Sequence, residues 1–187
     1  MPMTPEIPAV ATRLLTLLSL GLLLMTCKSQ VDLLPSATQT GQNIFGCLIN
    51  GKSYVPNGGN GFMPAKPING GFLVIYYPIR LGIYIATYAK DKQRIQLYLN
   101  DYTIGKHFLN SDTQTIPASL NHKNYGLYEN DTTDFVTSSA HTGFINVTKA
   151  DTATGIIAGT FEFTAATKDG KTVTISNGRF DVNTRTL

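Results

Sequence analysis

From residue 43 to the C-terminus, apolar and polar positions alternate in short runs separated by Gly, Asn, Asp and Pro. No window sustains a 3.6-residue period, and Val, Ile, Thr, Tyr and Phe fill the runs, the pattern of half-buried strands. IFGCLINGKSYVP (44–56) predicts a hairpin, because Asn50-Gly51 accepts the two positive φ angles of a type I′ turn. PNGGNGFMPAKPINGG (56–71) reads as a long surface crossover, and FLVIYYP (72–78) as a strand ended by Pro78. LGIYIATYA (81–89) and QRIQLYLN (93–100) form a second hairpin whose register can be tested. With Ile85 opposite Leu97, Ile83 meets Leu99 and Thr87 meets Ile95 on an apolar face. Tyr84 then meets Tyr98, Ala86 meets Gln96 and Tyr88 meets Arg94 on the other. A slip of one residue would invert every side chain.

Further along, 125–129 and 134–138 predict short strands, and 142–148 a longer one with Ile145 and Val147 on one face. GTFEFTAATKDGKTVTISNGRFDV (159–182) gives the clearest alternation. Phe161, Phe163 and Ala165 face one way, residues 168–171 turn the chain, and Val173 and Ile175 return inward. Phe180 and Val182 are out of phase with Ile175. Asn177-Gly178 must restore the parity, either as a bulge with Gly178 in the left-handed region or as a second tight turn, and the bulge is preferred because it lets the last strand continue along 157–163. The prediction is an all-β fold: a single antiparallel β-sandwich or flattened β-barrel spanning 43–187.

The N-terminal region follows a different pattern. LLTLLSLGLLLM (14–25) is too short to span a bilayer, which takes about 20 residues, and matches the apolar core of a signal peptide. Arg13 supplies the positive flank, and translation starts at Met1 or Met3. The run ends in Leu24-Met25-Thr26-Cys27, which resembles the bacterial lipobox. That resemblance implies a lipoprotein signal peptide over 1–26 and lipidation of Cys27. Residues 27–42 would then be the lipidated Cys and a flexible, polar tether. An ordinary secretory signal, leaving a periplasmic or secreted protein, is the alternative.

Only Cys27 and Cys47 are present, so a lipidated Cys27 leaves Cys47 unpaired and the fold reliant on its core. The net charge of +3 is spread thinly, without the basic cluster of a nucleic-acid-binding protein. His107, His122 and His141 lack metal-ligand spacing, so no metal and no cofactor are expected. Cys47 lies in an apolar strand, where a thiol packs as a small hydrophobe. No nucleophile, base and orienting group can be named together, and Glu162 is expected to face a cross-strand cation such as Arg179. Tyr84, Tyr88 and Tyr98 share a face with Arg94 and Gln96, aromatic rings beside hydrogen-bonding groups, which makes these five the candidate ligand-binding residues. Packing as a second layer of core is the competing explanation for the same tyrosines.

TQTGQNIFGCLINGKSYVP (38–56) and the 159–182 block resemble the two signature blocks of the DUF6252 family of Bacteroidota lipoproteins. The resemblance implies an anchored antiparallel β domain in the cell envelope and no catalytic residues. The expectation is a non-catalytic binding or interaction module for a glycan or protein, lipid-anchored to the outer membrane with the leaflet open. A lipocalin-like carrier of a small apolar ligand is the alternative, and a hydrolase with an unsignalled site is third.

Overall fold

A computed structural model describes residues 29–76, 79–113 and 123–187. The predicted signal peptide over 1–26, Cys27, Pro78 and His122 lie outside the described residues. Among those described, the strands are β1 (Ile44–Ile49), β2 (Lys52–Tyr54), β3 (Ile68–Tyr76), β4 (Ile79–Thr87), β5 (Gln93–Leu99) and β6 (Gly105–Phe108). They continue with β7 (Tyr125–Asn130), β8 (Thr133–Val136), β9 (Gly143–Asp151), β10 (Ile156–Ala166) and β11 (Thr172–Asn183). Nine form one antiparallel path, β2-β1-β11-β10-β8-β7-β5-β4-β3, curled into a half-barrel. β9 pairs with β10 along residues 156–163, and β6 adds to β9. β8 meets β10 only at Ala166 and Val136.

The concave side holds the core. Phe45, Cys47, Ile83, Ile85, Ile95, Leu97, Ile145, Phe161, Ile175 and Phe180 are all essentially inaccessible. Phe161 sits at its centre, its ring 5.1 Å from that of Phe45 and 6.3 Å from that of Phe180. Each such side chain contributes roughly 1.5–3 kcal/mol through burial alone.

The second hairpin has the predicted register, with Ile83 opposite Leu99, Tyr84 opposite Tyr98 and Ile85 opposite Leu97. Asn50 and Gly51 both take positive φ, 48° and 80°, as their turn demands. The bulge in β11 is present as well. Phe161 and Phe163 face Gly178 and Ile175, so two steps on β10 match three on β11. Asn177, at φ 52°, absorbs the extra residue rather than Gly178. Gly178 serves packing instead, since a Cβ there would lie 2.6 Å from the Phe161 ring.

Three expectations change. The 56–71 crossover ends at residue 67, because Ile68 to Gly71 pair with β4. Gly70 and Gly71 have φ of 128° and 145°, and a Cβ on Gly70 would stand 2.0 Å from the Tyr84 carbonyl, so these glycines belong to a strand. β6 carried no alternation and was not predicted. Residues 29–42, expected as a flexible tether, lie against the sheet. A 3-10 turn (Gln30–Leu33) comes first, and the Gln30 side-chain carbonyl accepts from the Ser53 N–H at 3.0 Å. Leu34 is buried, and Pro35 packs over Gly46.

The same segment ends on a buried carboxylate. Asp181 accepts from Thr38 Oγ1 at 2.6 Å and from the backbone N–H groups of Thr40, Gly41 and Gln42 at 3.0, 2.8 and 3.2 Å. Burial alone would raise its pKa, but these donors hold it below the ordinary carboxylate value. Asp181 thus joins the two signature blocks, one strand to one loop.

Candidate functional site

The site is built on the convex face, by side chains whose neighbours along the strand enter the core. Tyr84 on β4, Tyr98 on β5 and Tyr125 on β7 stand opposite one another in a single row. Ala86, Gln96, Leu127 and Val136 form the next row, and Arg94, Glu129 and Asp134 the one after. The rings of Tyr98 and Tyr125 stack with centroids 5.3 Å apart. With Ile75 and Leu127 they form a second buried cluster, against which Tyr84 and Val136 pack.

The five predicted residues therefore come together in two depths. Gln96 and Tyr98 form the floor, at 2% and 5% exposure, while Tyr84, Tyr88 and Arg94 are half-buried at the rim. Arg94 links them. Its Nη2 donates to Tyr84 Oη at 3.3 Å, and Tyr84 Oη in turn donates to Gln96 Oε1 at 3.2 Å. Its Nη1 lies 3.6 Å from Glu129 Oε2, and its Cζ sits 4.8 Å from the Tyr88 ring centroid. Burial raises the Tyr84 pKa, opposed by the Arg94 charge, so the phenol stays protonated and can donate. One group is left over: Arg94 Nε is buried without a hydrogen-bond partner. A half-buried guanidinium held by a carboxylate, a phenol and an aromatic face is suited to donate through its Nη groups to an oxygen acceptor on a polar ligand. Glu129, Tyr125 and Leu127 belong to this site and were missed. Their strand was predicted, but its pairing with β5 spans about thirty residues of sequence and has no local signature.

Beside the Asp134 end of the last row lies an open cavity of about 580 Å³, lined by Asp112, Asp134, Ser138, His141 and Lys168. Its polar groups are largely committed to holding the loop. Ser138 Oγ accepts from the N–H groups of Ala140 and His141 at 3.3 and 3.1 Å, and stands 3.4 Å from His141 Nδ1. Asp112 accepts from the Ser139 backbone N–H and hydroxyl at 2.9 and 3.1 Å. A serine already capping its own turn is a poor nucleophile. A shallower cavity of about 380 Å³ on the other half of the sheet is lined by Phe144, Thr160, Glu162, Asn177 and Arg179. There Glu162 stands opposite Phe144, and Arg179 donates to the Pro35 carbonyl at 3.3 Å rather than to Glu162.

The remaining ionisable candidates are built into the fold. Burial pushes the Cys47 thiol far up, away from the thiolate that nucleophilic chemistry needs. His107 lies in β6; its Nε2 donates to the Thr103 carbonyl at 2.8 Å and its Nδ1 faces Asp101 at 3.5 Å. Among the described residues no three His, Cys, Asp or Glu side chains converge as metal ligands, and no helix is long and apolar enough to cross a membrane.

A packed antiparallel half-barrel carrying a polar and aromatic cluster on its convex face defines a β-rich domain. Residues 81–182, more than half of the chain, match the family described as Domain of unknown function (DUF6252), and the chain belongs to that family. The 159–182 block and all five candidate residues fall inside the matched span, while 38–56 precedes it. No curated protein and no solved structure matches the chain.

Proposed function

We propose that this protein is a membrane-anchored envelope lipoprotein, held by a lipid on Cys27 at the outer membrane. Its β domain is a non-catalytic module that binds a glycan or protein through Tyr84, Tyr88, Arg94, Gln96 and Tyr98. The observation that carries the binding reading is the part-exposed guanidinium of Arg94, positioned on three sides by Tyr84, Glu129 and the Tyr88 ring. A guanidinium so positioned donates through its Nη groups to a sugar hydroxyl or a peptide carbonyl at little entropic cost. Tyr88 offers the adjoining ring face. Surface binding is favoured over carriage of an apolar ligand because phenylalanine, isoleucine and leucine side chains fill the concave side.

The test is capture from an envelope extract, with partners identified by mass spectrometry and glycans by array. Arg94→Met and Tyr88→Ala lose capture while keeping the melting temperature. Undiminished capture by both variants would refute this site. For the anchor, Cys27→Ser moves the protein from the membrane fraction to the soluble fraction; unchanged fractionation rejects lipidation.

A further inference from the structure

We propose that the end of the half-barrel formed by the β1–β2, β4–β5, β7–β8 and β10–β11 turns rests on an anionic bilayer surface, with Phe62 and Met63 inserted. The inference builds on the lipid anchor at Cys27 and adds an orientation to it.

These turns form one end of the molecule. The Asn50 N–H donates to the Thr174 carbonyl at 2.9 Å, and Lys92 pairs with Asp131 at 2.9 Å. Lys52 and Asp91 line one cleft between the first two turns. The loop over residues 55–67 is tied to the same end, since Gly58 donates to the Tyr88 carbonyl and Asn60 to that of Lys90, at 2.8 and 2.7 Å. Its tip carries two apolar side chains in open solvent: Phe62 at 102% and Met63 at 81% exposure.

Chain entry falls at this end too. The packed segment begins at Ser29, and the next residue, Gln30, is bonded to Ser53 of β2. Two residues span at most about 7 Å, so a lipid on Cys27 brings this end against the headgroups. Val31, Leu33 and Val55 are exposed here as well.

Charge points the same way. Residues 29–34, 50–53, 55–67, 88–92, 131–132 and 167–171 hold Lys52, Lys66, Lys90, Lys92, Lys168 and Lys171 against Asp32, Asp91, Asp131 and Asp169. Six minus four leaves +2. At the opposite end, residues 100–104, 123–124, 152–155 and 184–187 hold Lys123 and Arg185 against Asp101, a net of +1. Lysines around an apolar tip are the arrangement that an anionic leaflet attracts.

The full chain, purified with its lipid and reconstituted alone into phosphatidylethanolamine–phosphatidylglycerol vesicles with brominated acyl chains, provides the test. A bimane on Met63→Cys should be quenched several-fold more strongly than one on Ala153→Cys at the far end. Buried Cys47 stays unlabelled. In a Phe62→Asp, Met63→Asp background the protein still floats with vesicles, but quenching at Val55→Cys falls. Flotation with equal or absent quenching at 63 and 153 overturns the orientation and leaves the anchor standing, and shows this end free for a protein partner instead. Failure to float removes the anchor and this inference together.

Discussion

β10 and β5 are both central strands, yet they show opposite burial patterns. Along β10 the residues from Gly159 to Ala165 alternate: Phe161, Phe163 and Ala165 are buried, while Thr160 and Glu162 face water. Along β5 the five residues from Ile95 to Leu99 are all buried. Ile95, Leu97 and Leu99 enter the same core that Phe161 occupies, but Gln96 and Tyr98 are covered on the convex side by the tyrosine cluster. One half of the sheet thus has a single packed face and the other has two. A two-faced strand can hold a buried polar network, and Arg94, Tyr84 and Gln96 form one at its margin.

The contrast can be broken first at the layer both halves share. Phe161→Ala removes a ring packed against Phe45, Phe163 and Phe180. It should cost about 3–5 kcal/mol, seen as a large drop in urea midpoint at unchanged slope. A cost below about 1 kcal/mol would mean that the two halves do not share one core.

Asp181→Ala comes next, at roughly 3 kcal/mol, because four donors lose a buried charged acceptor. Its folded pKa is depressed, so its stabilisation is complete above the unfolded value, near 3.8. That stabilisation is lost as pH falls through the lower folded value. The gap between parent and variant is therefore constant near neutrality and closes in acid. A gap that instead widens on acidification contradicts a depressed pKa. Hydrogen exchange at residues 38–42 should rise in the variant, since this carboxylate holds the segment.

Tyr98→Ala and Thr160→Ala compare the two convex faces directly. Tyr98 stacks on Tyr125 within a buried cluster, and its loss should cost about 2–4 kcal/mol. Thr160 is exposed on β10, and its loss should stay within about 0.5 kcal/mol. Equal effects at the two positions would erase the distinction between a one-faced and a two-faced half.

That distinction also explains what the amino-acid pattern revealed. The Asn50-Gly51 turn, the β4–β5 register and the parity shift before Phe180 are local, each set by a few adjacent residues, and each was legible. The candidate face was legible too, because alternation along β4 and β5 places Tyr84, Arg94, Gln96 and Tyr98 together. Its depth was not, because the β7 strand that supplies Tyr125, Leu127 and Glu129 pairs across a long sequence separation. Gly70 and Gly71 resembled a loop because positive φ is used there inside a strand. Residues 38–42 resembled a tether because their partner, Asp181, lies about 140 residues further along the chain. Side chains that satisfy backbone groups at such distances leave no periodic trace.

Arg94→Met should have the smallest effect on stability and the most telling one on function. The substitution loses a pairing with Glu129 at 3.6 Å, worth about 0–1 kcal/mol at this part-exposed position. It also removes the buried Nε, whose unmet hydrogen bond costs the folded state about 1–3 kcal/mol. Methionine keeps much of the aliphatic stem against Tyr88. These contributions oppose one another, so the net change should lie within about 1 kcal/mol of zero. A large destabilisation would make Arg94 a structural tie between β5 and β7. Near-neutral stability with lost capture would leave ligand contact as its remaining role, and Glu129→Gln should then weaken capture less, because the guanidinium keeps its Tyr84 and Tyr88 contacts.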